Sequence, residues 1–141
     1  NITGSMLGTS VALKQLKTQG KGVVYNLEGL GSNNMIIRKT IVYGTSKRAI
    51  TYFTKGCKKE LKEYPNVKIG TIQPGMVFTD LLMRNLGDDG MKVARIIGNE
   101  VPFVAKKVVN GVLKNNLKIV VTGNLNVAWR FMTSPFKKKN R

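Results

Sequence analysis

The chain has 141 residues, 24 Lys and Arg against 7 Asp and Glu, a formal net charge of +17 and 42% hydrophobic content, enough for one folded domain with a core of its own. It has no histidine and a single cysteine, Cys57, which excludes Ser-His-Asp and Cys-His catalysis, His-ligated metals and any internal disulfide; no metal site is expected, and a reducing cytoplasmic setting is the default. The charge admits a nucleic-acid binder, a module docking on anionic membrane, or one piece of a larger protein whose other part is more acidic.

Residues 1–17 carry apolar Ile2, Met6, Leu7, Val11, Leu13 and Leu16 near helical spacing, predicting a helix packed on one face. It opens without a capping segment or a preceding strand, so the chain is expected to start inside a larger domain. A turn over 18–22 leads to a strand, Val23-Val24-Tyr25-Asn26-Leu27. The loop over 28–39 then holds Gly29, Gly31, Ser32, Asn33 and Asn34. Gly29-Leu30-Gly31 lacks a third glycine and no helix follows it directly, so a phosphate loop is rejected. The loop is expected instead to bring substrate-facing groups to the mouth of a sheet.

A helix is predicted from about 41 to 62, ended by Tyr64-Pro65-Asn66. Tyr43 and Lys47 lie four apart on it and face the same space. A free phenol titrates near ~10, and a neighbouring cation lowers that by stabilising the phenolate. A strand over 67–72 runs into Gln73-Pro74-Gly75-Met76-Val77-Phe78-Thr79-Asp80, a rigid Pro-Gly reversal at the ligand-binding edge of an open sheet. After it come a short helix over 80–84, a flexible turn over 86–90, a helical piece over 91–97, an amphipathic helix over 101–113, a third strand over 117–121 and a closing helix over 124–132. Alternating strands and helices mean an α/β fold with a parallel sheet and helices on both faces.

Tyr43-Gly44-Thr45-Ser46-Lys47 resembles the Tyr-x-x-x-Lys signature of the short-chain dehydrogenase/reductase family, and Pro74-Gly75-Met76-Val77-Phe78-Thr79 matches the family's Pro-Gly-x-Val-x-Thr segment in full. Asn1-Ile2-Thr3-Gly4 is similar to its Asn-x-x-Gly helix opening. The resemblance implies a Rossmann-like, doubly wound parallel sheet of which residues 1–141 form the carboxyl-terminal part in a single domain, with 124–141 as closing helix and basic tail. The first strands and the glycine-rich turn would precede residue 1, and this piece alone is expected to be inactive.

By the same resemblance, Tyr43 is the general acid in carbonyl reduction and the base in alcohol oxidation. Lys47 bonds the nicotinamide ribose and lowers the tyrosine's pKa, and Asn1 holds a water of the proton relay. Pro74, Gly75 and Val77 line the nicotinamide with backbone, and Thr79 meets the carboxamide. The family's serine, thirteen residues before the tyrosine, has no counterpart: that position is Leu30. Ser32, eleven before Tyr43, is assigned the hydrogen bond to the substrate carbonyl oxygen.

Asn26-Leu27-Glu28-Gly29-Leu30-Gly31-Ser32 resembles the Asn-x-acidic-Gly-x-Gly-Ser loop of the chlorophyll b reductase branch, which reduces a formyl group on a tetrapyrrole with NADPH. NADP(H) is therefore expected ahead of NAD(H), with a small-molecule carbonyl or alcohol as substrate, lipophilic aldehydes and ketones included. The family often pairs through the helices over 1–17 and 43–62, so a homo-oligomer is expected of the full-length protein. The basic residues are scattered, with Lys137-Lys138-Lys139 the one run, and aromatics do not interleave with them, so nucleic acid is not the expected partner. The tail from Val127 mixes aromatic and basic residues and offers peripheral membrane contact. The competing class is a non-enzymatic basic α/β module that binds anionic membrane or nucleic acid.

Overall fold

The structure, a computed structural model, describes residues 1–134. In chain order it has helix α1 (Ile2–Gln19), strand β1 (Gly22–Leu27), helix α2 (Ile41–Glu60) closed by a 3-10 turn (Leu61–Glu63), strand β2 (Val67–Gln73), helices α3 (Asp80–Asn85), α4 (Asp88–Ile97) and α5 (Val101–Leu113), strand β3 (Lys118–Val120) and helix α6 (Asn124–Thr133). The strands form one parallel sheet in the order β1-β2-β3, with Gly22 beside Val67, Leu27 beside Ile72, and Gln73 beside Val120. Helical crossovers connect them, α2 between β1 and β2 and α5 between β2 and β3, as parallel pairing requires.

Local chemistry explains the elements. β-Branched Val23 and Val24 in β1, and Val67, Ile69, Thr71 and Ile72 in β2, suit a pleated, covered sheet. Gly20 ends α1 in the left-handed conformation, φ 81°, its N–H bonded to the Lys17 carbonyl. On one face of the sheet, α1 and α2 lie side by side over a cluster of Leu61, Val67 and Ile69, joined by Leu13, Leu16, Val24 and Cys57. Along β2 the next residue after Ile69, Gly70, points the other way. A Cβ there would meet the Tyr25 ring at 2.7 Å, so the ring crosses Gly70 and its hydroxyl donates to the Asn116 carbonyl at 3.1 Å. Helix α5 packs on β3 where Gly111 lets it reach Ile119.

A buried polar chain locks α1 to β1 and β1 to α2. Thr9 Oγ1 donates to Asn26 Oδ1 at 3.0 Å, Asn26 Nδ2 donates to Thr54 Oγ1 at 2.9 Å, and Thr54 donates to the Ile50 carbonyl at 2.8 Å. Each group in the chain is satisfied, as burial demands.

The structure corrects some local expectations. The stretch over 86–90 is no flexible turn, because α4 begins at Asp88, and Asp88 and Asp89 in its first turn complement the positive end of the helix dipole. The third strand is shorter than 117–121, since only Lys118–Val120 pair with β2. The closing helix is present, whereas the basic run Lys137-Lys138-Lys139 lies outside the described residues.

Candidate active site

The carboxyl ends of β1 and β2 sit side by side, tied by Glu28 N–H donating to the Ile72 carbonyl at 2.8 Å. The loop after β1 and the Pro-Gly segment after β2 therefore leave the sheet from adjacent strands at the edge where open α/β sheets hold ligands.

Tyr43 and Lys47 stand on the first turns of α2 above the β1 loop. The Tyr43 hydroxyl lies over Gly29, close enough that a Cβ at Gly29 would come within 2.6 Å of the phenol oxygen and 3.1 Å of Lys47 Cε. The bare glycine is thus the floor on which both side chains rest. Lys47 Nζ donates to the Leu27 carbonyl at the end of β1, 3.1 Å, and sits 5.8 Å from the Tyr43 ring centroid. Tyr43 as a whole is 44% exposed.

The electrostatics differ from the simple pairing expected of a phenol and an ammonium. Partial burial pushes the Tyr43 phenol above its ordinary value and the Lys47 ammonium below its own. Desolvation is the cause at both groups, and Nζ is bonded to the Leu27 carbonyl.

Ser32 is 5% exposed and is held inside the loop. Its Oγ accepts from Gly29 N–H at 3.0 Å and donates to the Lys47 carbonyl at 3.4 Å, while Arg48 Nη1 donates to the Ser32 carbonyl at 3.0 Å. In this arrangement the hydroxyl links the Gly29 floor to the helix bearing Lys47. The loop can lie this close because Gly31, φ 96°, passes against Gly44: an added Cβ would meet the Gly44 Cα at 2.5 Å.

Asn1 precedes α1 without a side-chain cap bond; its Nδ2 donates to Ser46 Oγ at 3.1 Å, and Ser46 in turn donates to the Tyr43 carbonyl at 2.7 Å. The start of α1 is thereby fixed to the turn of α2 that carries Tyr43. Asn1, Ile2, Thr40, Ile41, Val42 and Tyr43 help line an open recess of about 830 Å3. Lys39 and Ser46 complete the lining, whose surface is mostly apolar.

In the second segment, Gly75 takes φ 74° and Val77 forms a parallel bridge with Asn99. Thr79 caps α3, its Oγ1 accepting from Leu82 N–H at 3.2 Å. Pro74, Gly75, Val77 and Thr79 therefore belong to one segment, separate from the loop that carries Ser32 but leaving the sheet beside it. Sequence reasoning passed over Gly29 as a site residue, and over Asn99, Thr122 and Arg130, which surround the Pro-Gly segment. A glycine two residues past the end of a strand was the available signal for Gly29; the other three lie too far apart in sequence to signal their meeting.

Residues 1–89 match the family model for short chain dehydrogenase. The chain belongs to the short-chain dehydrogenase family. It is similar to the chloroplastic chlorophyll(ide) b reductase NOL of Arabidopsis thaliana, 31% identical over 137 residues covering 94% of this chain and 38% of that protein. It also resembles the rice NOL protein, 35% identical over 86 residues, 59% of this chain and 25% of the relative. The chain thus spans well under half the length of these relatives. The Rossmann-like fold is shared with a bulky-bulky ketone specific alcohol dehydrogenase from Comamonas testosteroni, TM-score 0.64 at 14% identity over 100% of this chain and 52% of the other. A short chain dehydrogenase from Burkholderia cenocepacia in complex with NADP gives TM-score 0.62 at 15% identity, over 92% and 51%.

These relatives overturn the cytoplasmic expectation. The matched chlorophyll(ide) b reductases of Arabidopsis and rice are chloroplastic. A single cysteine excludes a disulfide within these residues and does not distinguish the cytosol from an organelle.

Proposed function

We propose that this chain is the carboxyl-terminal part, a single domain, of an NADP(H)-dependent reductase that converts a lipophilic aldehyde or ketone to its alcohol. The observation that carries the reading is the Tyr43 hydroxyl held over Gly29 beside a Lys47 anchored to the end of β1. The apolar recess against Tyr43 suits a bulky, poorly soluble carbonyl compound. Chlorophyll(ide) b, after which those relatives are named, is the first such compound to test. Preference for NADP(H) over NAD(H) rests on the likeness to that branch and on the NADP-bound structural neighbour.

The residues present fit the nicotinamide end of such a cofactor. Gly29 offers a floor with no side chain, Lys47 has two further N–H donors beyond the one given to Leu27, and Thr79 accepts from Leu82 through Oγ1 while keeping an O–H to donate. When bound, the cofactor supplies the hydride to the carbonyl carbon. Tyr43 gives its hydroxyl proton to the carbonyl oxygen, so the C=O becomes CH–OH and the phenolate takes a proton back from solvent. Lys47 orients the ribose, and its charge stabilises the transient phenolate. Asn1, beside Ser46, orders a water of the return path. Ser32, whose O–H is given to the Lys47 carbonyl in the unliganded chain, would exchange that long bond for one to the substrate carbonyl oxygen.

Self-association through α1 and α2 completes the reading. Leu7 and Val11 on α1 and Tyr52 on α2 are exposed apolar side chains of the kind such a contact would cover.

The deciding experiment is turnover by the full-length protein and its Tyr43→Phe variant, with NADPH and a formyl-bearing tetrapyrrole. Loss of turnover with cofactor binding retained supports the reductase. Equal turnover in both proteins removes Tyr43 from the chemistry. Absence of turnover in both, with steeply salt-dependent binding to anionic vesicles, replaces the enzyme with a charge-driven module.

A further inference from the structure

The segment after β2 is held in place by residues drawn from three later parts of the chain. Asn99, just beyond α4, is 6% exposed. Its N–H donates to the Met76 carbonyl at 2.9 Å, and its carbonyl accepts from Phe78 N–H at 3.0 Å. These two bonds grip the segment from both sides of Val77.

The Asn99 side chain is itself fully engaged. Nδ2 donates to Thr122 Oγ1 at 2.7 Å and to the Ile97 carbonyl at 3.4 Å, and Oδ1 accepts from Arg130 Nη2 at 3.1 Å. Arg130, on α6, also donates through Nη1 to the Ile97 carbonyl at 3.2 Å and the Gly98 carbonyl at 3.4 Å. One guanidinium thus satisfies three oxygens at the end of α4, a geometry its planar fork suits. Thr122, just past β3, is 7% exposed and also lies against Gly75, where an added Cβ would come within 3.3 Å of Oγ1. Gly98 admits the Phe78 ring, which an added Cβ would meet at 2.5 Å.

We propose that Arg130 and Thr122 are positioning residues that act through Asn99 to set the height of residues 74–79 above the sheet, and with it the fit of the nicotinamide. The inference rests on the reductase reading and extends it to three residues outside the family's motifs. The physical argument is one of specificity. Apolar contacts would hold α6 against α4 at many small offsets, whereas the directed bonds that join Asn99 to Thr122 and Arg130 are satisfied together in few arrangements. The segment gains from this because its own bonding to β3 ends close by: Val121 N–H donates to the Gln73 carbonyl at 3.0 Å, and beyond it the bridge at Asn99 takes over.

The test uses the full-length protein and its Arg130→Gln, Arg130→Lys and Thr122→Val variants. Two quantities are read at a temperature where every variant compared is folded: amide exchange of Phe78 and Asn99 without cofactor, and the dissociation constant for NADPH. In Arg130→Gln, exchange at both amides rises while that of β2 is unchanged, and NADPH binding weakens about tenfold. Arg130→Lys recovers part of both, since an ammonium reaches one or two of the three oxygens. Thr122→Val, which keeps the shape and removes the acceptor, gives the same pair of changes and decides the matter if Arg130→Gln does not fold. Wild-type exchange at Phe78 and an unaltered NADPH constant in Thr122→Val and in every folded Arg130 variant overturn the proposal. A wild-type protein that binds no NADPH sinks the reductase reading instead, and the exchange data still judge the brace.

Discussion

The phenol oxygen of Tyr43 lies above Gly29 so closely that a single methyl group on the glycine would approach it to 2.6 Å. The residue that donates the proton in the proposed reaction is therefore positioned by one that has no side chain at all. Gly29 does not adopt a left-handed φ, so its requirement is for space rather than for backbone freedom.

Replacing Gly29 with Ala is expected to displace the Tyr43 hydroxyl and the Lys47 stem together while leaving the sheet intact. A displacement near 1 Å in a catalytic group lowers turnover by about 10²-fold. Steady-state kinetics alongside a thermal melt would check this, and wild-type turnover in the variant would show that the phenol oxygen is not confined by the loop.

Gly31 and Gly44 should respond in opposite senses. Ala at Gly31 must hold φ 96° and drive its Cβ into the Gly44 backbone, whereas Ala at Gly44 would sit in ordinary contact, 3.7 Å from Gly31 Cα. The first should cost about 2 kcal/mol or more, and the second should be neutral or gain up to ~1 kcal/mol from helix propensity. Denaturant midpoints measure both, and the reverse ranking would contradict the close approach of loop and helix.

The pH behaviour has a defined sign. Because burial raises the Tyr43 phenol, the folded protein keeps its proton more tightly than the unfolded chain, so this group stabilises the fold below its ordinary pKa and loses that contribution as pH rises through the raised value. Lys47, lowered by burial, acts oppositely: folding disfavours its charged form, so its contribution grows as pH rises toward the unfolded value. An ultraviolet difference titration of wild type against Tyr43→Phe in the unliganded protein should show a phenol titrating above ~10. A value below that would mean the Lys47 charge outweighs desolvation.

Asn26→Ala should be the most damaging substitution in the polar chain between α1 and α2. It leaves the buried Thr9 hydroxyl without its acceptor and Thr54 Oγ1 without its donor. The expected loss is about 1–3 kcal/mol for each stranded group. Thr9→Val removes one end without stranding Thr54 and should cost less; equal losses in urea unfolding would show that the three residues do not act as a chain.

Much of the site could be read along the chain. Tyr43 and Lys47 lie one helical turn apart, and Pro74, Gly75, Val77 and Thr79 follow a strand directly, so short-range spacing placed each group on the right element. The loop between β1 and α2 was harder. Ser32 was expected to face the substrate, but whether its hydroxyl bonds to Gly29 or points outward depends on the packing of Gly31 on Gly44, two residues 13 positions apart. The start of α4 was missed because Gly87-Asp88-Asp89-Gly90 has turn composition, and the acidic pair at a helix N-terminus outweighed it.

By itself the sequence determined the alternation of strand and helix, and hence a parallel sheet with its ligand edge at the carboxyl ends. Those follow from hydrophobic period and from turn residues, which act over a few positions. The tertiary structure alone decided that burial raises the Tyr43 phenol, that Gly29 is the floor of the site, and that Arg130 reaches back more than thirty residues to the end of α4. Each of these depends on which surfaces meet when the helices pack, and both desolvation and steric exclusion are properties of that meeting rather than of either partner.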